Sequence, residues 1–129
     1  MKKKLISLIT AAVMALGISV PAMAADAKPM EGKLVVVHTN DMHGYYETTE
    51  TSIGIAGVAG LKNYYEAQGA DVLLLDAGDF SQGSTLVSYY KGKNAAEYMA
   101  AAGYDAVSMG NHEFDYSFDA LLDNMKVLT

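Results

Sequence analysis

Leu34-Val35-Val36-Val37-His38-Thr39-Asn40-Asp41-Met42-His43 opens on an unbroken aliphatic run and closes on an Asp-x-His pair. The run is too short for a helix, is largely β-branched and is flanked by polar residues. It predicts a strand from about Leu34 to Thr39, buried on both faces of a parallel sheet. Asp41 and His43 lie just beyond the C-terminal end of that strand. In open α/β sheets the ligand crevice lies outside the carboxyl ends of the strands, and residues two apart on extended chain project to the same side. A carboxylate and an imidazole are therefore expected to converge on one point.

The same arrangement recurs twice downstream. A second aliphatic run, Asp71 to Leu75, ends in Asp76-Ala77-Gly78-Asp79, and a third predicted strand, Ala106 to Met109, ends in Gly110-Asn111-His112. Between the first two, Ile55, Val58, Ala59, Leu61 and Tyr65 have helical spacing from Gly54 to Gly69. Gly57 and Gly60 each weaken that helix by about 1 kcal/mol relative to Ala, and Gly69 stops it. The glycines at 54, 57 and 60 neither follow a strand directly nor match dinucleotide or Walker spacing, so they read as close helix packing.

A second helix is expected from about Asn94, where Asn94 and Glu97 have capping-box spacing, to Ala102, with Gly103 terminating it. A last helix, about Ser117 to Lys126, places Phe118, Leu121, Leu122 and Met125 on one face and Asp119 and Asp123 opposite. The order β-α-β-α-β-α implies right-handed crossovers and a parallel sheet, with all three polar motifs at one sheet edge.

The start of the chain has a separate purpose. Lys2, Lys3 and Lys4, the apolar stretch Leu5 to Val20 and the small-residue site Pro21-Ala22-Met23-Ala24 spell a secretory signal peptide over residues 1–24, cleaved after Ala24. Residues 25–33 form a polar lead-in, and 34–129 form the domain. The expected location is periplasmic, cell-surface or secreted, in a bacterium, with no stable membrane anchor after cleavage. Loss of the leader leaves six lysines and no arginine against fifteen acidic residues. Such a surface repels nucleic-acid backbones, so polymeric nucleic acid is excluded as a partner. With no cysteine in the chain, disulfides and thiolate metal sites are excluded as well.

Asp41, His43, Asp79, Asn111 and His112 are oxygen and nitrogen donors expected to converge from three strand ends, a set that suits Mn²⁺, Zn²⁺, Fe or Mg²⁺. A pair of such ions about 3.5–4 Å apart generates hydroxide at neutral pH and clamps the attacking and leaving oxygens of a displacement at phosphorus. In order and spacing, His38-Thr39-Asn40-Asp41-Met42-His43-Gly44, Gly78-Asp79-Phe80-Ser81-Gln82-Gly83 and Gly110-Asn111-His112-Glu113-Phe114-Asp115 resemble the first three motifs of calcineurin-like metallophosphoesterases. The resemblance lies within the branch of 5′-nucleotidases, UDP-sugar hydrolases and 2′,3′-cyclic-nucleotide phosphodiesterases, and it covers essentially residues 33–129.

The resemblance implies the N-terminal, incomplete part of a four-layer α/β/β/α sandwich. It implies that Asp41 and His43 bind a first divalent ion, that Asp79 bridges both ions, and that Asn111 binds the second. Asn111 and His112 would contact the substrate's phosphate, with His112 as a non-ligand that stabilises phosphoryl charge or assists the leaving oxygen, oriented by Asp115. The implied substrate is a small nucleotide or similar phosphate ester, hydrolysed by attack of metal-bound hydroxide. Other residues have simpler readings. Asp76 is structural, His38 is a hydrogen-bonded core histidine, Glu113 satisfies backbone donors, and the tyrosine pairs at 45–46, 64–65 and 89–90 are half-buried helix and loop residues.

The family's downstream metal ligands lie in Gly-His and Gly-His-x-His contexts, and no histidine follows His112. The expectation is therefore the N-terminal piece of a longer enzyme, binding metal weakly and hydrolysing esters poorly on its own. The rival expectations are a non-catalytic exported binding module and an inert truncated product. Oligomeric state is not legible in the sequence.

Overall fold

The computed structural model describes residues 28–129, so the expected leader and its cleavage site lie outside the described residues. Strands β1 (Leu34–Thr39), β2 (Asp71–Asp76) and β3 (Ala106–Val107) form a parallel sheet in the order β1-β2-β3. Leu34 pairs with Asp71 and Thr39 with Asp76, and Leu75 pairs with Ala106. The helices are α1 (Gly54–Ala67), α2 (Thr85–Tyr89), α3 (Lys93–Ala102) and α4 (Phe118–Leu128), with a 3₁₀ turn at His112–Phe114.

Both crossovers step across the sheet in the same direction, and right-handed connections of that kind place their helices on the same face. Side chains alternate accordingly. Leu74 is fully buried, whereas Leu34, Val36 and Leu73 are 64%, 53% and 40% exposed. The expectation of strands buried on both faces is thus corrected: among the described residues only one face is covered. His38 belongs to the uncovered face with Leu34 and Val36 and is exposed, so it is not the core histidine expected from the sequence.

Helix α1 packs on β2, and the core lies around α3, where Tyr46, Phe80, Val87, Ala95, Ala96 and Met99 pack together with Val107 of β3 against them. Small residues at 95 and 96 let the helix approach closely, and Met99 fills the remaining gap. On α4, Leu121 and Asn124 are buried, while Phe118, Leu122 and Met125 stay partly exposed. The amphipathic face predicted for this helix is therefore only partly partnered. Asn124 is held by its amide, which donates to the Lys91 carbonyl at 2.9 Å.

Three local expectations change. Strand β3 is two residues long, because the chain leaves the sheet at Ser108, whose amide still donates to the Asp76 carbonyl at 2.8 Å. Helix α3 starts after Gly92 in the left-handed region, and Asn94 sits inside it instead of capping it, accepting only from the Ala95 amide. The short helix α2, capped by Ser84, was not anticipated; its five residues carry too little periodicity to register. The stop at Gly103 holds, with φ +78° and its amide returned to the Ala100 carbonyl.

Candidate metal centre

Each strand hands its chain to a loop at the same sheet edge, and the loops are stitched to one another by main-chain bonds. The Asp41 amide donates to the Gly78 carbonyl and the His43 amide to the Asp79 carbonyl, both at 3.0 Å. The Ser84 amide returns to the His43 carbonyl at 2.8 Å. Asp41, His43 and Asp79 all occupy the left-handed region, at φ 52°, 45° and 58°, and among the described non-glycine residues only Lys91 joins them. A side chain held there costs about 1–3 kcal/mol and persists only where the surroundings over-determine it. Three such residues at one sheet edge single that edge out as the candidate site.

The sharp turns serve to converge the side chains. Donor atoms of His43, Asp79 and His112 all lie within 4.8 Å of one another. The two imidazoles meet edge to face, with ring centroids 5.1 Å apart. Asp41 is at the rim: its Oδ1 is 4.0 Å from His43 Nε2, its side chain is 60% exposed, and its other oxygen accepts from the Asn40 side-chain Nδ2 at 2.6 Å. Asn111 precedes the 3₁₀ turn with its side chain exposed. A His112 ring nitrogen thus lies beside the His43 and Asp79 donors, while Asp41 stands further out.

Hydrogen bonds orient both imidazoles. His43 Nδ1 lies 3.2 Å from the Gln82 carbonyl, which can only accept, so Nδ1 is the donor and Nε2 is the nitrogen left to face the cluster. His112 Nδ1 lies 2.7 Å from Asp115 Oδ2, the pairing expected from their three-residue separation. That bond is the main reason the His112 pKa is raised above the ordinary histidine value, with the Asp115, Asp79 and Glu113 charges adding to it. The Asp79 carboxylate is itself anchored, because its Oδ1 accepts from the His112 amide at 2.9 Å.

Two acidic neighbours are structural, as expected. Asp76 is buried; its Oδ2 accepts from Thr39 Oγ1 at 2.5 Å and its Oδ1 from the Gly78 amide at 2.8 Å. Thr39 spends its only proton on Asp76, so the Tyr104 hydroxyl donates to Thr39, at 2.8 Å. Burial pushes the Asp76 pKa up, and those two donors pull it part of the way back. Glu113 is 2% exposed and accepts from four backbone amides and one hydroxyl.

The tyrosines divide. Tyr46 is buried and donates to the Phe80 carbonyl at 2.9 Å, whereas Tyr45, Tyr64, Tyr89 and Tyr90 are well exposed. Three contributions escaped sequence reading. The Gln82 carbonyl carries no side-chain identity, so nothing in the sequence could reveal its hold on His43. Gly78 and Gly110 are required by proximity: a Cβ on Gly78 would strike the Gly110 backbone, and one on Gly110 would strike the Asp79 carboxylate. The signal for them was a glycine placed immediately before Asp79 and before Asn111.

The donor set fits a divalent ion. The Asp79 oxygen and the His43 nitrogen suit Zn²⁺, Mn²⁺ or Fe, and the Nδ1 bond of His43 leaves Nε2 as the nitrogen available to an ion. Such ions, when bound, supply Lewis-acid polarisation and a lowered pKa for water.

Comparison with known proteins agrees with this chemistry. The profile of the calcineurin-like phosphoesterase family matches residues 34–128. The chain is 44% identical over 100 residues to the 5′-nucleotidase of Diplobatis ommata, covering 70% of this chain and 17% of that protein. It is 42% identical over 108 residues to the 5′-nucleotidase of Bos taurus, covering 75% and 18%. It therefore spans less than a fifth of the length of these relatives. Among solved structures, the calcineurin-like phosphoesterase YfkN from Bacillus subtilis superposes with a TM-score of 0.57 at 30% identity, over 72% of this chain and 34% of that one. A putative 5′-nucleotidase from Staphylococcus aureus shares the fold with a TM-score of 0.61 at 24% identity, over 74% and 21%. With its three motifs at one sheet edge and an incomplete α/β domain around them, this chain belongs to the calcineurin-like phosphoesterase family.

Proposed function

We propose that residues 34–129 supply the N-terminal part of the active site of an exported phosphoesterase that hydrolyses phosphate esters of nucleotides in the manner of a 5′-nucleotidase. The convergence of His43, Asp79 and His112 within 4.8 Å carries the reading. The names of the relatives support the substrate class. In this reading two divalent ions are held, with Asp41, His43, Asp79 and Asn111 as ligands from this chain and the remaining ligands from sequence beyond it. Asn111 and His112 face the phosphate.

The residues' own contributions follow from their bonds. Asp115 holds the His112 ring by Nδ1 and favours its protonated form, so Nε2–H points a positive charge and a donor at a phosphoryl or leaving oxygen. Asp79, held by the His112 amide, keeps that ring beside the proposed ligands. Export rests on the leader-like residues 1–24 and is compatible with relatives that include a snake-venom 5′-nucleotidase. No described helix is long and apolar enough to cross a membrane.

The test is phosphate release from a nucleoside 5′-monophosphate, a cyclic nucleotide and a UDP-sugar, using the protein isolated from its source with and without chelator. Release that needs a divalent ion and is lost in His112→Ala is expected. Release that is unaffected by both treatments would refute the proposal.

A further inference from the structure

The loop that presents Asp79 is built around a carboxylate with no exposed surface to spare. Gly78 and Asp79 both have positive φ, 107° and 58°, and this turns successive amides to one side of the chain. Consecutive amides in such a turn form a concavity for an anion. Here the anion is internal. Glu113 Oε2 accepts from the Asp79 amide at 2.9 Å, and Oε1 accepts from the Phe80 amide at 2.9 Å, the Ser81 amide at 3.1 Å and Ser81 Oγ at 3.0 Å. Oε2 also takes the Gly110 amide at 2.5 Å, so one side chain ties the loop after β2 to the loop after β3.

Those two loops carry Asp79 and His112, and Gly110 touches the Asp79 carboxylate so closely that a Cβ would not fit. We propose that Glu113 is a positioning residue of the metal centre, holding Asp79 in its left-handed conformation and fixing the distance between Asp79 and His112. It touches neither metal nor substrate; it acts through the amides of residues 79–81 and 110. A carboxylate is required for this. Charge-assisted bonds to backbone amides are the strong class, and five donors saturate both oxygens. Glutamine, with one acceptor oxygen and an amino group, would set N–H against N–H at one end. The inference rests on the metal-site reading above.

The test uses this chain, metal-free, titrated with Co²⁺ and followed by the visible absorption of the bound ion. Amide exchange at residues 79–81 and 110 is read alongside. Glu113→Gln is expected to keep the far-UV dichroism, to weaken Co²⁺ by about 10- to 100-fold, to alter the absorption band and to speed exchange at those four amides. A purely structural role would lower stability but leave the band of the bound ion unchanged. Wild-type affinity and band shape in Glu113→Gln would overturn the proposal.

If Glu113→Gln does not fold, Ser81→Ala decides, since it removes one donor from Oε1 and leaves the carboxylate. A weaker Co²⁺ complex with a shifted band supports the inference, and an unchanged one sinks it. Asp79→Asn separates the two layers of the argument. Loss of Co²⁺ in Asp79→Asn with none in Glu113→Gln defeats the positioning role alone. No loss in Asp79→Asn defeats the metal reading and the positioning role together.

Discussion

The main-chain amide of His112 donates to Oδ1 of Asp79 across 2.9 Å, joining the ends of β2 and β3 through a candidate metal ligand. One carboxylate is thereby both a donor to the cluster and the anchor of the loop that carries its imidazole partner. Replacing Asp79 with Ala is expected to cost metal affinity by removing a ligand, and to loosen the loop that carries His112. Calorimetric titration with Mn²⁺ or Zn²⁺ checks this, and a loss of at least about 10-fold is expected.

Two glycine-to-alanine changes are predicted to have opposite signs. In Gly110→Ala the new methyl meets the Asp79 carboxylate and should destabilise by about 1–3 kcal/mol, with weaker metal binding. In Gly60→Ala the methyl meets open space on α1 and should stabilise by about 0.5–1 kcal/mol, through helix propensity alone. Urea unfolding of both variants is the measurement.

Thr39→Val keeps the shape of β1 but strips a donor from buried Asp76 and leaves the Tyr104 hydroxyl without its acceptor. A loss of about 1–3 kcal/mol at neutral pH is expected. Asp76 already has a folded-state pKa above its unfolded value, so its favourable contribution is present at low pH and is lost as pH rises through the folded pKa. Without Thr39 Oγ1 that pKa rises further, so the deficit of the variant should grow with pH. A deficit that shrinks on going from acid to neutral pH would contradict this.

Asp105 behaves in the opposite sense. It accepts from the Leu74 amide at 2.7 Å and from Lys62 at 2.9 Å, and the amide first and the lysine second hold its pKa below the usual carboxylate value. A depressed folded pKa contributes stability that is present above the unfolded value, about 3.9, and is lost as pH falls through the folded one. Asp105→Asn should therefore be less stable than wild type at pH 7 and approach it in acid. Urea midpoints measured between neutral and acid pH report the convergence.

His112 is expected to titrate above the ordinary histidine value of about 6.5 in the metal-free chain, and to fall back towards it in Asp115→Asn. Its raised folded pKa contributes stability that is fully present below the unfolded value and is lost as pH rises through the folded one. Proton NMR of the imidazole resonances is the direct observation. An unchanged midpoint in Asp115→Asn would dissociate the two residues.

Much of this was legible because periodicity and placement are local properties. The aliphatic runs at 34–37 and 72–75 are strands β1 and β2, and Gly69 and Gly103 end the helices they were expected to end. The His112–Asp115 pairing also follows from local spacing, which a single turn preserves. Asn94 shows the limit. Its capping-box spacing with Glu97 was genuine, but left-handed Gly92 starts the helix two residues earlier and moves Asn94 inside. His38 shows another limit, because strand periodicity tells which residues share a face and leaves open which face is covered.

The sequence by itself determined the α/β order, the parallel sheet and the three polar motifs at its carboxyl edge, since side-chain periodicity and crossover handedness act along the chain. Only the tertiary structure decided that one sheet face is covered and that a His112 ring nitrogen lies beside the His43 and Asp79 donors with Asp41 further out. It alone showed that Glu113 ties two loops together. These facts depend on distances between segments more than thirty residues apart, set by left-handed turns at Asp41, His43 and Asp79 and by backbone carbonyls that have no residue identity to read.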